Sequence, residues 1–298
     1  MIDLHTHTNL SDGTDTPREL INLAMAQGIT TLGISDHDTT SSWEEATNAL
    51  RPGMDLVLGA EISCLTENEI SVHMLGLLFD SENQALQDLL EESRDQRIPR
   101  LKKMVTLLND AGITVSIDDV HAATPAGATV GRPHLADALV ALGHVSSRGE
   151  AFTELLHNDS PYYVSHIAPT PVTAIAAIKA AGGVAVIAHP FASQRGKILS
   201  AQDFAPLVAA GLNGIEVDHR DQSASERDNL RAVARELGMV ITGSSDYHGN
   251  GKINRLGEHL TSPQEWEKLE AMATARRVVR KLRQVQSHSL FNLSSRSL

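Results

Sequence analysis

Short apolar runs recur along the chain, and a histidine or a carboxylate lies at or near the end of most of them. The runs are rich in Val, Ile and Leu and are mostly bounded by Gly, Asp or Asn, which is typical of buried β-strands. They lie near residues 1–5, 30–35, 55–62, 70–78, 183–188, 213–218 and 239–244. The pattern therefore predicts seven strands.

Amphipathic helical segments lie between most of these runs. Thr16 and Glu19 have the spacing of a capping box, so a helix is predicted from there to Gly28. Another helix is predicted over residues 170–182. Strands that alternate with helices indicate βα units, and we expect an α/β fold whose parallel strands form a TIM-like barrel.

One long segment interrupts the alternation. Residues 93–168 contain no convincing strand, and their apolar spacing is typical of successive helices. We interpret them as an all-helical insertion in a loop on the active face of the barrel, because functional loops tolerate insertions. The barrel then consists of residues 1–92 and 169–275, and residues 276–298 form a basic C-terminal tail.

Composition narrows the possible functions. The 298-residue chain has a net charge of −12 and only 3% aromatic residues, which argues against general attraction to nucleic acid and against a base-stacking platform. The basic tail is interpreted as solvated, with an RNA-contacting role as the alternative.

Cys64 is the single cysteine, so a disulfide framework is excluded. The chain has neither an apolar run of 18 residues nor a basic signal segment, and we expect a cytoplasmic protein with no membrane contact and no obligate protein partner.

Nine side chains of metal-binding type lie at or near the ends of the apolar runs. His5 and His7 are two residues apart, as are Asp246 and His248, so each pair points to one face of an extended segment. A parallel barrel brings the carboxyl ends of its strands to one rim. Nine potential ligands exceed the needs of one ion, and the sequence predicts a multinuclear metal enzyme. Six other histidines have no partner pattern and are interpreted as structural or exposed: His121, His144, His157, His166, His259 and His288. The nine candidates are His5, His7, Asp12, His37, Glu61, His73, His189, Asp246 and His248.

The motifs around these positions resemble the PHP family, the polymerase and histidinol phosphatase phosphoesterases. The resemblance spans roughly residues 1–80 and 170–260 and is carried by DLHTHTNLSDGTDTP, GISDHDT, AEIS, HMLG, AHP and SDYHG. It implies a distorted seven-stranded (β/α)7 barrel with three divalent metal ions, manganese first, with iron or zinc as alternatives. The implied ligand sets are His5, His7, Glu61 and Asp246 for one ion, Glu61, His73 and His189 for another, and Asp12, His37 and His248 for the third.

A second candidate site lies in the predicted insertion. Arg132 offers a planar fork to a phosphate, and His134 offers a further donor near a helix N-terminus, which favours anions. A solvated arginine at a helix start is the alternative. The GRPH sequence resembles the PHP subgroup that acts on nucleotides and short RNA, in which it contacts a phosphate other than the one cleaved. Arg195 and Lys197 follow His189 on the same rim and are further candidates for phosphate contact, with a solvated loop as the alternative.

These patterns lead to a metal-dependent phosphoric ester hydrolase. The leading hypothesis is removal of the 3′-phosphate from a nucleoside 3′,5′-bisphosphate by attack of metal-bound hydroxide on phosphorus. A 5′-3′ exoribonuclease acting on short 5′-phosphorylated RNA is the first alternative, since the same geometry suits both reactions. A histidinol-phosphate phosphatase would need no second phosphate site. An amidohydrolase and a non-catalytic nucleotide sensor are the more distant alternatives.

Overall fold

The computed structural model describes residues 1–281, and its sheet follows the predicted apolar runs. The strands neighbour one another in chain order from the first to the seventh. This arrangement confirms the predicted α/β barrel of seven strands. The strands are β1 (Ile2–Asp3), β2 (Thr31–Ile34), β3 (Asp55–Leu65), β4 (Ser71–Leu77), β5 (Val184–Ala188), β6 (Gly214–Asp218) and β7 (Val240–Gly243).

The sheet is not parallel throughout, because β4 runs antiparallel to both β3 and β5. The expectation of a parallel sheet is therefore wrong at this strand. Only residues 66–70 connect β3 to β4, whereas a parallel pair needs a crossover of about a dozen residues or more. As a result, His73 reaches the rim near the beginning of its strand, while most of the other predicted ligands follow strand ends.

The barrel closes between β1 and β7, just beyond the ends of both strands. The backbone N–H of His7 donates to the Tyr247 carbonyl at 2.9 Å, and the N–H of Asp246 donates to the His5 carbonyl at 2.9 Å. Both bonds join segments that carry predicted metal ligands. We call this join the seam.

Helices cover the outside of the barrel. In the first helix, the Glu19 N–H donates to the Thr16 hydroxyl, and the Thr16 N–H donates to the Glu19 carboxylate, which completes the predicted capping box. Leu20 and Ile21 on its inner face are fully buried in the main core. The barrel helices are α1 (Pro17–Ala26), α2 (Trp43–Ala49), α3 (Gln84–Asp95), α8 (Pro171–Ala180), α9 (Phe204–Ala210), α10 (Ala224–Glu236) and α11 (Pro263–Met272). Short 3-10 turns lie at Ser193–Arg195, Ala201–Asp203 and Gly249–Gly251.

The helices between residues 93 and 168 have an apolar core of their own. Leu101, Leu108, Leu135 and Leu139 belong to this cluster, which is separate from the barrel core. No strand occurs within residues 93–168. The division of the chain into these units stays a prediction. The helices of this segment are α4 (Arg97–Asp110), α5 (Ile117–Ala122), α6 (Arg132–Ala141) and α7 (Arg148–Glu154).

The first residues of the predicted basic tail lie against the barrel. Strand β8 (Val279–Arg280) pairs antiparallel with the beginning of β3, and Arg280 Nε lies 3.0 Å from Asp55 Oδ2. The Arg276 guanidinium lies 5.1 Å from the centre of the Trp43 ring. Residues 282–298, with the rest of the predicted tail, lie outside the described residues. Between residues 1 and 281, no helix is long and apolar enough to cross a membrane.

Candidate metal centre

The structure brings all nine predicted ligands together at one rim of the barrel. They fall into overlapping clusters in which the potential ligand atoms lie within 4.8 Å of one another. The clusters share members, so they form one continuous site. Their members are His5, His7, Glu61 and Asp246; His7, Asp12, His37 and His248; His37, Glu61 and His73; and His5, His189 and Glu216.

The first cluster lies where β1, β3 and β7 approach one another. His5 and His7 project from the same side of the chain, and their Nε2 atoms are 3.0 Å apart. Glu61 Oε2 lies 3.1 Å from His7 Nε2, and Asp246 Oδ1 lies 3.4 Å from the same nitrogen. These four residues are those that the family resemblance implies for one ion.

The second cluster is built around Asp12, in the turn that follows β1. His248 Nε2 is 3.1 Å from Asp12 Oδ1, and His37 Nε2 is 3.6 Å from Asp12 Oδ2. His7 Nδ1 lies 3.6 Å from Asp12 Oδ1, so His7 borders both clusters. The two nitrogens of one imidazole therefore face two different groups of ligands.

Glu61 lies at the centre of the site, and its two oxygens face different partners. Oε1 lies 2.8 Å from His73 Nδ1 and 3.3 Å from His189 Nε2. Oε2 lies 3.1 Å from His7 Nε2 and 3.2 Å from His37 Nδ1. A carboxylate in this position can bridge two cations.

Several buried ligand atoms have no hydrogen-bond partner in residues 1–281. An unsatisfied buried polar atom costs about 1–3 kcal/mol, so four of them in one site require an explanation. Each is a carboxylate oxygen or an imidazole nitrogen of a predicted ligand, and bound cations would satisfy all four. This donor set fits divalent metal ions. The atoms are Asp12 Oδ1, His37 Nδ1, Asp246 Oδ1 and His248 Nε2.

The electrostatics of the site favour bound positive charge. Burial raises the pKa of the Glu61 carboxyl, but the nearby His73 and His5 outweigh that effect and hold it well below its usual range. Burial lowers the pKa of His7, yet Asp246 and Glu61 raise it to about 9. The carboxylates of the first cluster thus favour positive charge beside them, and bound metal ions would supply that charge.

Strained backbone orients two of the ligands. His189 has φ 31° and Asp246 has φ 52°, in the left-handed region that side chains other than glycine rarely adopt. Such a conformation costs on the order of 1–3 kcal/mol and persists only where the surroundings impose it. Asp38, next to the predicted ligand His37, has φ 52° as well. Its carboxylate accepts from Arg97 of α4, which ties the helical segment to the rim.

Glu216 is a functional candidate that the sequence analysis missed. It is fully buried in β6, its Oε1 lies 3.1 Å from His5 Nδ1, and its Oε2 accepts from the His189 N–H at 3.0 Å. It orients one predicted ligand through its ring and another through its backbone. A glutamate inside the apolar run GIEVD was the available signal, because a buried carboxylate is costly unless it is paired.

We expect Glu216→Gln to weaken metal binding by about 10- to 100-fold, because outer partners of ligating histidines contribute that much to affinity. The substitution keeps the shape but removes the charge that orients and polarises His5. Calorimetric titration of metal-free protein with Mn²⁺ measures the effect. Glu265→Gln is the matched control, since Glu265 accepts from the Ile241 N–H at 3.0 Å away from the clusters. Equal Mn²⁺ affinity of wild type and Glu216→Gln would contradict the assignment.

Two basic side chains flank Asp246 on the outer side of the site. Arg195 Nη2 lies 2.7 Å and Lys252 Nζ 2.9 Å from Asp246 Oδ2. Arg195 also pairs with Asp221, and Lys252 was not among the predicted site residues. Lys197 is exposed and, in the described part of the chain, forms no ion pair. Arg195 therefore lies at the rim as predicted, whereas Lys197 does not contact the clusters.

The structure places Arg132 and His134 in different surroundings. The Arg132 guanidinium donates to the Leu156 carbonyl at 3.0 Å and to Asn158 Oδ1 at 2.9 Å. His134 is buried, and its Nδ1 accepts from the Gly131 N–H at 3.0 Å. With Nδ1 used in this way, Nε2 carries the hydrogen and is available as a donor. The roles of both residues in substrate binding stay predictions.

Arg100 is a second residue that the sequence analysis missed. Its Nε donates to the Val164 carbonyl at 2.7 Å, and its Nη2 is buried without a partner. The guanidinium groups of Arg100 and Arg132 lie 5.3 and 5.2 Å from the centre of the same Tyr163 ring. Burial, together with the positive charge of Arg132, lowers the pKa of Arg100 to about 9. Within residues 1–281, no carboxylate pairs with either arginine, so the pair is suited to bind an anion.

Comparisons with known proteins agree with this geometry. A model of the PHP domain matches residues 3–147. The chain is 34% identical over 260 residues to a 5′-3′ exoribonuclease of Haemophilus influenzae, with 87% of this chain and 93% of the relative covered. It is also 34% identical over 255 residues to a 3′,5′-nucleoside bisphosphate phosphatase of Chromobacterium violaceum, covering 85% of this chain and 89% of that one. The crystal structure of a protein assigned to the metal-dependent phosphoesterases, from Bifidobacterium adolescentis, superimposes with a TM-score of 0.87 at 39% identity, over 91% of this chain and 96% of that one.

Proposed function

This chain belongs to the PHP family and is a metal-dependent phosphoesterase, and we propose that it removes the 3′-phosphate from nucleoside 3′,5′-bisphosphates. The substrate would have one phosphate at the metal centre and the other at the arginine pair of the helical segment.

The arginine pair is the observation that carries this proposal. The Arg100 and Arg132 guanidinium groups face the same Tyr163 ring, and no carboxylate of the described residues pairs with either of them. Their mutual repulsion makes this arrangement unfavourable unless an anion binds to both. Arg100 also presents a buried Nη2 that has no acceptor. A phosphate would supply acceptor oxygens to both guanidinium groups in charge-assisted hydrogen bonds. A substrate with a single phosphate would leave this second site unused.

We propose three divalent metal ions, held by the ligand sets given above. Histidine and carboxylate ligands without thiolate suit manganese, iron or zinc, and we take manganese as the first choice. When bound, such ions make hydroxide available at neutral pH and offset the charge that develops on the phosphoryl oxygens. Glu61, with its oxygens facing two groups of histidines, would be the bridging ligand.

The protein's own residues would orient the substrate. Arg100 and Arg132 would bind the phosphate that does not react, so that this binding energy sets the position of the phosphate to be cleaved. His134 Nε2 is proposed as a further donor to the nucleotide. Arg195, 2.7 Å from Asp246 Oδ2, would donate to the reacting phosphate at the rim.

A 5′-3′ exoribonuclease activity on short 5′-phosphorylated RNA is the second candidate. Relatives with 34% identity carry both names, and the two reactions differ only in the leaving group. A 5′-phosphate on the arginine pair would place the next phosphodiester at the metal centre. The net charge of −12 favours short substrates over long RNA.

The test uses purified protein with Mn²⁺ and two substrates, adenosine 3′,5′-bisphosphate and a short 5′-phosphorylated RNA. Free phosphate and released mononucleotides are measured separately, and histidinol phosphate serves as a control with a single phosphate. Phosphate release from the bisphosphate without mononucleotide release would support the main proposal. Stepwise mononucleotide release would support the exoribonuclease. Turnover of histidinol phosphate alone would overturn the two-phosphate proposal.

A further inference from the structure

His166 belongs to the segment that returns from the helical unit to the barrel. Two hydrogen bonds fix the position of this segment: the Val164 carbonyl accepts from Arg100 Nε at 2.7 Å, and the Pro169 carbonyl accepts from the Leu65 N–H at 3.0 Å. Arg100 belongs to the arginine pair, and Leu65 ends β3, the strand that contains the predicted ligand Glu61. The segment with His166 therefore connects the surroundings of the two proposed phosphate sites.

The free ring nitrogen of His166 is a hydrogen-bond acceptor. The ring forms a hydrogen bond with the backbone of Cys64, while its Nε2 is buried and has no partner in the described part of the chain. Burial, reinforced by the charges of Arg100 and His73, lowers the pKa of His166 to about 3, so the imidazole is neutral at neutral pH. A neutral imidazole has one donor nitrogen and one acceptor nitrogen. The hydrogen bond to the Cys64 backbone uses the donor, which leaves Nε2 as a buried acceptor without a donor.

The substrate chemistry identifies the missing donor. In a nucleoside 3′,5′-bisphosphate the ribose connects the two phosphates, and the 3′ and 5′ oxygens are both esterified. The 2′-hydroxyl is then the only free hydroxyl on the sugar. We propose that His166 Nε2 accepts a hydrogen bond from this 2′-hydroxyl and thereby selects ribonucleotides over 2′-deoxyribonucleotides. This inference rests on the proposed function.

The hydrogen bond would give the enzyme a way to distinguish sugars that its phosphate contacts cannot provide. Metal ions and guanidinium groups bind the phosphates of ribo- and deoxyribonucleotides equally, whereas a contact to the 2′-hydroxyl separates the two classes. With a deoxyribose, Nε2 would stay buried and unpaired, so the preference arises from an unsatisfied acceptor as well as from a lost bond.

The experiment compares kcat/KM for adenosine 3′,5′-bisphosphate and its 2′-deoxy analogue in wild type, His166→Ala and His166→Gln. Wild type should prefer the ribonucleotide by about fivefold or more, the effect of one buried hydrogen bond. His166→Ala should lose this preference mainly through slower cleavage of the ribonucleotide. His166→Gln places an amide oxygen near the position of Nε2 and should restore part of the preference. His121→Ala, which removes an exposed histidine of α5, is the control and should keep the wild-type ratio.

Binding to metal-free protein provides a readout that does not depend on turnover. Adenosine 5′-monophosphate should bind about fivefold more tightly than its 2′-deoxy analogue in wild type, and about equally in His166→Ala. Equal cleavage of the two bisphosphates by wild type, or an unchanged ratio in His166→Ala, would overturn the inference and leave the proposed function intact. Failure of wild type to cleave either bisphosphate would overturn both.

Discussion

Asp246→Asn is expected to lower phosphoesterase turnover by at least about a hundredfold while the fold is retained, because loss of a ligand should exceed the 10- to 100-fold effect of losing an outer partner. Asp246 Oδ1 lies 3.5 and 3.4 Å from the Nε2 atoms of His5 and His7 and has no hydrogen-bond partner among the described residues. The amide keeps the shape of the side chain but removes the negative charge that a cation requires. Phosphate release at saturating Mn²⁺ measures the rate, and elemental analysis measures the metal content.

Asp221→Asn is the matched control for this variant. Asp221 lies 2.6 Å from the same Arg195 that contacts Asp246, yet it belongs to none of the ligand clusters. It should retain full metal content and lose little activity. Circular dichroism and thermal unfolding establish that both variants are folded. Wild-type turnover and full metal content in Asp246→Asn would show that this carboxylate is not a ligand.

Arg100→Ala and Arg132→Ala are expected to separate bisphosphate cleavage from general phosphatase activity. Each variant loses a charge-assisted contact to the phosphate that does not react. The loss should cost about 1.5–3 kcal/mol of binding free energy, which lowers kcat/KM for the bisphosphate about 10- to 150-fold. Cleavage of p-nitrophenyl phosphate, which has a single phosphate, should change little. The ratio of the two rate constants therefore reports on the arginine pair alone.

Arg220→Ala is the control for these two variants. Arg220 is another arginine near the rim, but it pairs with Glu258 at 2.6 Å. Its removal should leave the ratio between substrates unchanged. Arg132 also donates to the Leu156 carbonyl, so thermal unfolding of Arg132→Ala must be measured as well. Equal losses on both substrates in Arg100→Ala and Arg132→Ala would mean that the pair is structural.

The fold was predictable because its strands are short apolar runs separated by helices with clear capping signals. The direction of β4 was not given by periodicity, since a run such as SVHMLGL has the same pattern in either direction. The length of the connection did contain the information, because residues 66–70 are too few for a crossover. Loop length was thus the more informative signal for this strand.

The candidate site was only partly predictable from the sequence. Its nine predicted ligands stood out because they lie at strand ends and occur in recognisable motifs. Glu216 has no second ligand at i+2, and Arg100 lies in a helix whose sequence, RIPRLKKM, is typical of a solvated face. Their surroundings arise from tertiary packing. Glu216 faces His5, which is 211 residues away in sequence, and Arg100 faces the Tyr163 ring beside Arg132. Local patterns do not encode such contacts.

The seam between β1 and β7 should open more often in the metal-free protein than in the metal-bound protein. A barrel opens most easily where few backbone bonds hold its edges together, and the bonds beyond the strand ends here include those of His7 and Asp246. His5 and His7 lie on one edge and Asp246 lies on the other, so an ion held by these three residues and Glu61 would connect the two edges. Metal binding would then slow amide hydrogen exchange at His7 and Asp246 more than in the long β3–β4 hairpin. The same ion that activates the reaction would also stabilise the closed form of the barrel.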